Sequence, residues 1–95
     1  MVELKDTVNK MISANYKDRF IAEYMQTKIR YDKLKYFIYE IETAKERGVE
    51  EPKHDCSIDL LKEQQSAMGY YLRVLEKRAM IEKVSLPHLI FITIS

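Results

Sequence analysis

The sequence predicts an all-α protein: a short N-terminal helix followed by a long antiparallel helical hairpin, assembling with copies of itself into a helical oligomer. Three observations predict it. The 95 residues contain only two Gly and two Pro, too few turn-makers for an all-β sandwich with its many hairpins. From Tyr16 to about Arg47 neither residue type occurs, so nothing interrupts a helix there. Over that stretch Phe20, Tyr24, Thr27, Tyr31, Leu34, Ile38 and Ile41 recur in alternating steps of four and three, the spacing that lines up one face of a helix.

The elements follow in order. Leu4, Val8, Met11 and Ile12 stand at helical spacing and make residues 2–14 a short amphipathic arm. Asn15 reads as the cap of the long helix 16–47, with Asp18 three residues on to complement its positive end. Gly48, Pro52 and the polar stretch to Asp55 break the periodicity and turn the chain back on itself. The second helix, 57–84, carries the seam Ile58, Leu61, Gln65, Met68, Leu72, Leu75 and Ala79, which can zip against the first. Beside it runs a second stripe of Leu60, Gln64, Ala67, Tyr71, Val74, Arg78 and Ile81. Two stripes exceed what one partner helix covers, so the second calls for the arm or another subunit. Pro87 closes the helical region, leaving residues 1–86 as one helical domain and 87–95 as a tail. The run Leu89 to Ile94 is apolar and β-branched; it pairs with a copy of itself, packs on a neighbour or stays disordered.

Composition excludes several classes of function. Sixteen Lys plus Arg against fifteen Asp plus Glu give a formal charge of +1, which argues against both nonspecific DNA or RNA binding and acidic mimicry of nucleic acid. An anion site must therefore be local. A single cysteine, Cys56, forms neither an internal disulfide nor a zinc cluster, and the N-terminus lacks the pattern of a secretion signal, so a reducing cytosol is expected. No apolar run approaches the ~20 residues needed to span a bilayer. Neither a catalytic constellation nor a metal or cofactor site is expected: His54 beside Asp55 and Cys56 reads as a solvated loop histidine near a half-buried thiol. His88 stands alone, and the glycines form no phosphate loop. Glu40, Glu42 and Lys45 exemplify a charge-laced helix face.

The informative pattern lies on the first long helix. Tyr24, Lys28, Tyr31, Lys35 and Tyr39 follow at steps of four, three, four and four, alternating ring and ammonium along one face, with Arg30 and Lys33 alongside. Tyrosine rings stack on bases at ~1–3 kcal/mol each, and cations neutralise phosphates. Tyr24 and Tyr31 also fall on the seam, where they would serve as core instead. In the second helix Arg78 sits between Val74 and Ile81, where burial would demand an anion, either a Glu of a neighbouring helix or a phosphate.

The stretch from Glu23-Tyr24 through Lys28, Arg30-Tyr31, Lys33-Leu34 and Phe37-Ile38, then Leu60-Leu61, Gln64, Ala67-Met68, Tyr71, Val74-Leu75 and Arg78, resembles the two-helix hairpin of phage anti-CBASS and anti-Thoeris sponges. The likeness covers residues 19 to about 82 and is nearer the anti-CBASS branch, because the anti-Thoeris relatives carry an extra β-domain. It implies a non-enzymatic phage protein in the host cytoplasm that sequesters cyclic-oligonucleotide signals. It also implies hexamers of hairpins, with cyclic dinucleotides between protomers and cyclic trinucleotides at separate sites. By that resemblance Tyr24 stacks on a base and Arg78 meets a phosphate. The chain departs from the family pattern at Tyr39, where a basic residue is expected, and at Ile41, where a small hydroxyl residue is expected.

Overall fold

The structure, a computed structural model, describes residues 15–87. The arm expected at 2–14 and the apolar run 89–94 lie outside the described residues. Two helices make up the described fold, α1 over Tyr16–Arg47 and α2 over Ile58–Glu82. They lie antiparallel, with cross-pairs Glu23–Tyr71, Tyr24–Glu76 and Glu42–Lys62 fixing the register.

Local chemistry sets each boundary. Asn15 has an extended backbone, and its Oδ1 accepts hydrogen bonds from the amides of Lys17 (2.8 Å) and Asp18 (3.3 Å), satisfying two of the free donors at the start of α1. At the other end Gly48 adopts the left-handed conformation, φ 70°, and donates its amide to the Lys45 carbonyl at 3.2 Å. Only glycine enters that region without a steric penalty. Ser57 caps α2 by accepting the Leu60 amide on Oγ at 3.1 Å.

The exit from α2 differs from the expected run to 84. Lys83 takes the left-handed cap, φ 58°, and the Val84 amide then bonds to the Ala79 carbonyl at 2.9 Å. A side chain in this region costs ~1–2 kcal/mol. Lys83→Gly is therefore expected to stabilise the fold by about 1 kcal/mol, read as a rise of about 4–8 °C in the thermal midpoint. A fall in the midpoint would show that the lysine stem contributes more than its backbone strain costs.

The seams meet as their spacing dictates. Phe20 and Tyr24 of α1, Leu72, Leu75 and Ala79 of α2, and Val84 beyond it form one buried cluster, with Ile21, Tyr31 and Leu86 packed against it. Toward the loop Ile38, Ile41 and Ala44 are buried, while Ile58, Leu61, Gln65 and Met68 of α2 are only half-buried. Ala22, Met25 and Ile29 are also buried, although 100° per residue turns them away from α2. The second stripe of α2 stays on the surface of the protomer, with Leu60, Tyr71 and Ile81 exposed and Met80 beside them 82% exposed. No described helix is long and apolar enough to cross a membrane.

Candidate functional site

The hairpin does not gather the seven singled-out residues into one place. Tyr24 is core: its ring is buried among Phe20, Leu72 and Leu75, and its hydroxyl donates to Glu76 Oε2 at 2.7 Å. Burial, and then the bond to Glu76, raises that hydroxyl far above the ordinary tyrosine range, so it remains a donor at any physiological pH. Within the protomer its ring face is closed to a base. Tyr31 is half-buried at the edge of the same cluster.

Lys28 holds its ammonium 5.5 Å from the centre of the Tyr31 ring and 3.3 Å from Asp32 Oδ1. The second oxygen of Asp32 is buried without a hydrogen-bond partner. Lys35 is half-buried, and Tyr39 is exposed with its ring edge-to-face against Tyr36, centroids 6.3 Å apart. Arg30 is exposed. One residue of helix rotation places it on the opposite flank of the seam from Lys28, Lys35 and Tyr39.

Arg78 overturns the expectation of burial. Its side chain is exposed and forks onto Glu82 one turn on, Nε to Oε2 at 2.9 Å and Nη2 to Oε1 at 3.3 Å, with the guanidinium 4.7 Å from the centre of the Phe20 ring. Its anion is a glutamate of its own helix, because the stripe it occupies faces solvent and no desolvation forces a longer-range partner. Phe20 and Tyr39 are 19 residues apart on α1, about 28 Å along the axis. Arg78 and Tyr39 of one protomer therefore face different ends of the hairpin.

The flanks carry different chemistry. On the Arg30 and Arg78 side Tyr71 is exposed, and its hydroxyl donates to Glu23 Oε2 at 3.0 Å; Thr27 Oγ1 donates to the same oxygen at 3.4 Å. Partial burial and then Glu23 raise the Tyr71 hydroxyl above its ordinary range. On the Tyr39 side an open groove of about 560 Å³ runs between the loop-proximal halves of the helices, bordered by Tyr31, Tyr39, Lys62, Gly69, Tyr70 and Arg73. That volume is in the range of small-molecule sites, ~300–1,000 Å³. Sequence reasoning passed over Lys62, Gly69, Tyr70 and Arg73 because they fall on neither stripe of α2.

Residues 14–81 match the model of the Sequestin family, a span that takes in α1, the loop, all of α2 but Glu82 and every candidate ligand residue. The chain belongs to the Sequestin family. Membership fits the hairpin likeness noted from residues 19 to 82 and leaves the branch within the sponges undecided. Neither the search of curated proteins nor that of solved structures finds a match.

The loop of this Sequestin hairpin is also ordered by a side chain that was expected to be solvated. His54 is half-buried: Nδ1 donates to the Cys56 carbonyl at 2.7 Å, Nε2 reaches Glu51 Oε1 at 3.1 Å, and the ring stands edge-on to Phe37. Cys56 is exposed, not half-buried. Lys45 reaches across the loop to Glu51 at 3.9 Å, and Glu42 pairs with Lys62 of α2, so these charges tie segments together and do more than lace one helix.

Both acceptors around His54 favour the imidazolium, and its pKa is raised, first by the Cys56 carbonyl and then by Glu51. A raised folded pKa gives a contribution that is full below the ordinary value of about 6.5 and fades as pH rises through the folded one. The expected result is a thermal midpoint that declines as pH rises above about 6.5, a slope that His54→Gln flattens. An unchanged slope in the variant would assign the pH dependence elsewhere.

Proposed function

We propose that the protein binds and sequesters cyclic-oligonucleotide immune signals without cleaving them, as a phage anti-defence protein acting in the host cytoplasm and starving the host effector. Membership in a family named for sequestration supports a binding role over catalysis. The observation that carries the nucleotide reading is the surface placement of tyrosine beside cations. Tyr39 and Tyr70 expose their rings near Lys35, Lys62 and Arg73 on one flank, while Tyr71 lies with Arg30 and Arg78 on the other. A folded domain that keeps such rings in water has surfaces suited to stacking on bases and neutralising phosphates. Two flanks also accommodate the two ligand classes that the family resemblance implies.

Lys28, Tyr31, Lys35 and Tyr39 serve one class in this reading, and Arg30 and Arg78 the other. Tyr24 takes part through neighbouring groups, because its own ring is enclosed in the protomer. Sequestration of a submicromolar signal requires a binding free energy of about 9–10 kcal/mol, more than an open groove readily supplies, so copies of the chain are expected to close over the ligand. The exposed Met80 and Ile81 suit that assembly, a hexamer by the resemblance. The same exposed apolar face supports a second reading, a helical protein-protein adaptor or an inhibitor that binds a host effector directly.

Calorimetry against a panel of cyclic di- and trinucleotides, with light scattering for mass, separates the two. Submicromolar binding by an assembly larger than a dimer is the expected outcome. No heat with any cyclic nucleotide would favour the adaptor, and a stable monomer would remove the basis for enclosure between copies.

A further inference from the structure

The open groove between the loop-proximal halves of α1 and α2 is built largely from residues that the family likeness leaves unassigned. Tyr31, Ile38, Tyr39 and Glu42 line it from α1, and Lys62, Gln65, Ser66, Gly69, Tyr70 and Arg73 from α2. Its charges are not balanced. Glu42 is matched by Lys62. Arg73 has no ion pair among the described residues, and its guanidinium lies 5.7 Å from the centre of the Tyr70 ring. A planar cation laid on an aromatic face keeps its outer N–H donors for an anion, and the fork matches two oxygens of one phosphate.

The aromatic side of the groove is equally open. Tyr39 is 50% and Tyr70 63% exposed, so their ring faces are available to a planar base, which such rings accept whatever its sequence identity. Ser66 and Gln65 add polar groups between them. At the floor, Gly69 admits the Tyr31 ring: a Cβ built there would stand 3.3 Å from Tyr31 Cε1. Glycine is a poor residue for a helix interior, and here its missing side chain leaves the space that Tyr31 and the groove share.

We propose that this groove is a nucleotide subsite built from one protomer, in which Arg73 takes a phosphate and Tyr39 and Tyr70 stack on a base. The proposal rests on the cyclic-nucleotide reading and deepens it. The resemblance implies dinucleotides between protomers; this subsite places one nucleotide unit of the ligand against a single chain. Tyr39, which stands where the family pattern calls for a basic residue, then has a stacking role, and the charge is supplied across the groove from α2.

The test is calorimetry of the full chain with cyclic di-adenylate and cyclic tri-adenylate, on the wild type, Arg73→Gln, Arg73→Lys, Tyr39→Leu and, on the other flank, Arg78→Gln. The substituted side chains are exposed, so circular dichroism should match the wild type throughout. Expected are a loss of at least tenfold in affinity for one of the two ligands in both Arg73→Gln and Tyr39→Leu, and partial recovery in Arg73→Lys. Wild-type affinity in either Arg73→Gln or Tyr39→Leu overturns the subsite while leaving the sequestration reading in place. A wild type that binds neither ligand overturns the subsite, and silence across the wider nucleotide panel overturns the parent reading as well.

Discussion

Replacing Tyr24 with alanine is expected to cost the hairpin about 3–5 kcal/mol, the range for emptying an aromatic site in a packed core. The ring belongs to the cluster that joins the two helices, and the same change strands Glu76 without its donor at 2.7 Å. Tyr24→Phe keeps the ring and loses only the hydroxyl, for an expected cost of about 0.5–1.5 kcal/mol. Urea denaturation of the pair at fixed protein concentration reads both values. An alanine variant as stable as the wild type that no longer binds nucleotide would instead place the ring at a ligand, contrary to its burial here.

Ile41→Ala is expected to cost about 2–5 kcal/mol. Ile41 has no solvent exposure and is the largest side chain buried so completely among the described residues, so the methylenes removed leave a cavity that close-packed neighbours fill only in part. Two positions earlier on the same helix, Tyr39→Ala should fall within about 0.5 kcal/mol of the wild type, as surface changes do. The contrast separates a residue that holds the hairpin together from one free to serve a ligand. Similar losses at both positions would mean that Tyr39 is covered in the assembled protein.

The helix boundaries were legible because their chemistry is local. Asn15 announces its cap through side-chain type, Gly48 breaks the helical pattern, and α1 runs over residues 16–47. The seams were legible as faces, since no seam residue from Phe20 to Ile41 or from Ile58 to Ala79 is exposed, but their period gave no sign of the burial of Ala22, Met25 and Ile29. Lys83 was not, because a lysine in a left-handed cap leaves no compositional sign, and with it went the return of Val84 and Leu86 to the core. Arg78 departs from expectation for a different reason: the apolar spacing of its stripe implies a covering partner, whereas α2 turns it to solvent. The groove lay beyond reach because Tyr39, Lys62 and Arg73 come to line one space only once the register of the two helices is known. His54 escaped for the same reason, its partners Glu51, Cys56 and Phe37 being assembled by a loop with no periodicity.

Covalent connection would make the loop the firm end of a hairpin and leave the other end to fray. Packing here reinforces the open end instead. Phe20, Leu72, Leu75, Ala79 and the returning Val84 hold both helices there by apolar contact. Toward the loop Ile38, Ile41 and Ala44 of α1 are buried but no residue of α2 is, and the pairs Glu42 with Lys62 and Lys45 with Glu51 bridge the segments. The two ends of the zipper are therefore fastened by different means. Salt screens exposed charges and leaves apolar burial intact, so rising ionic strength slackens the tethered end and spares the open one.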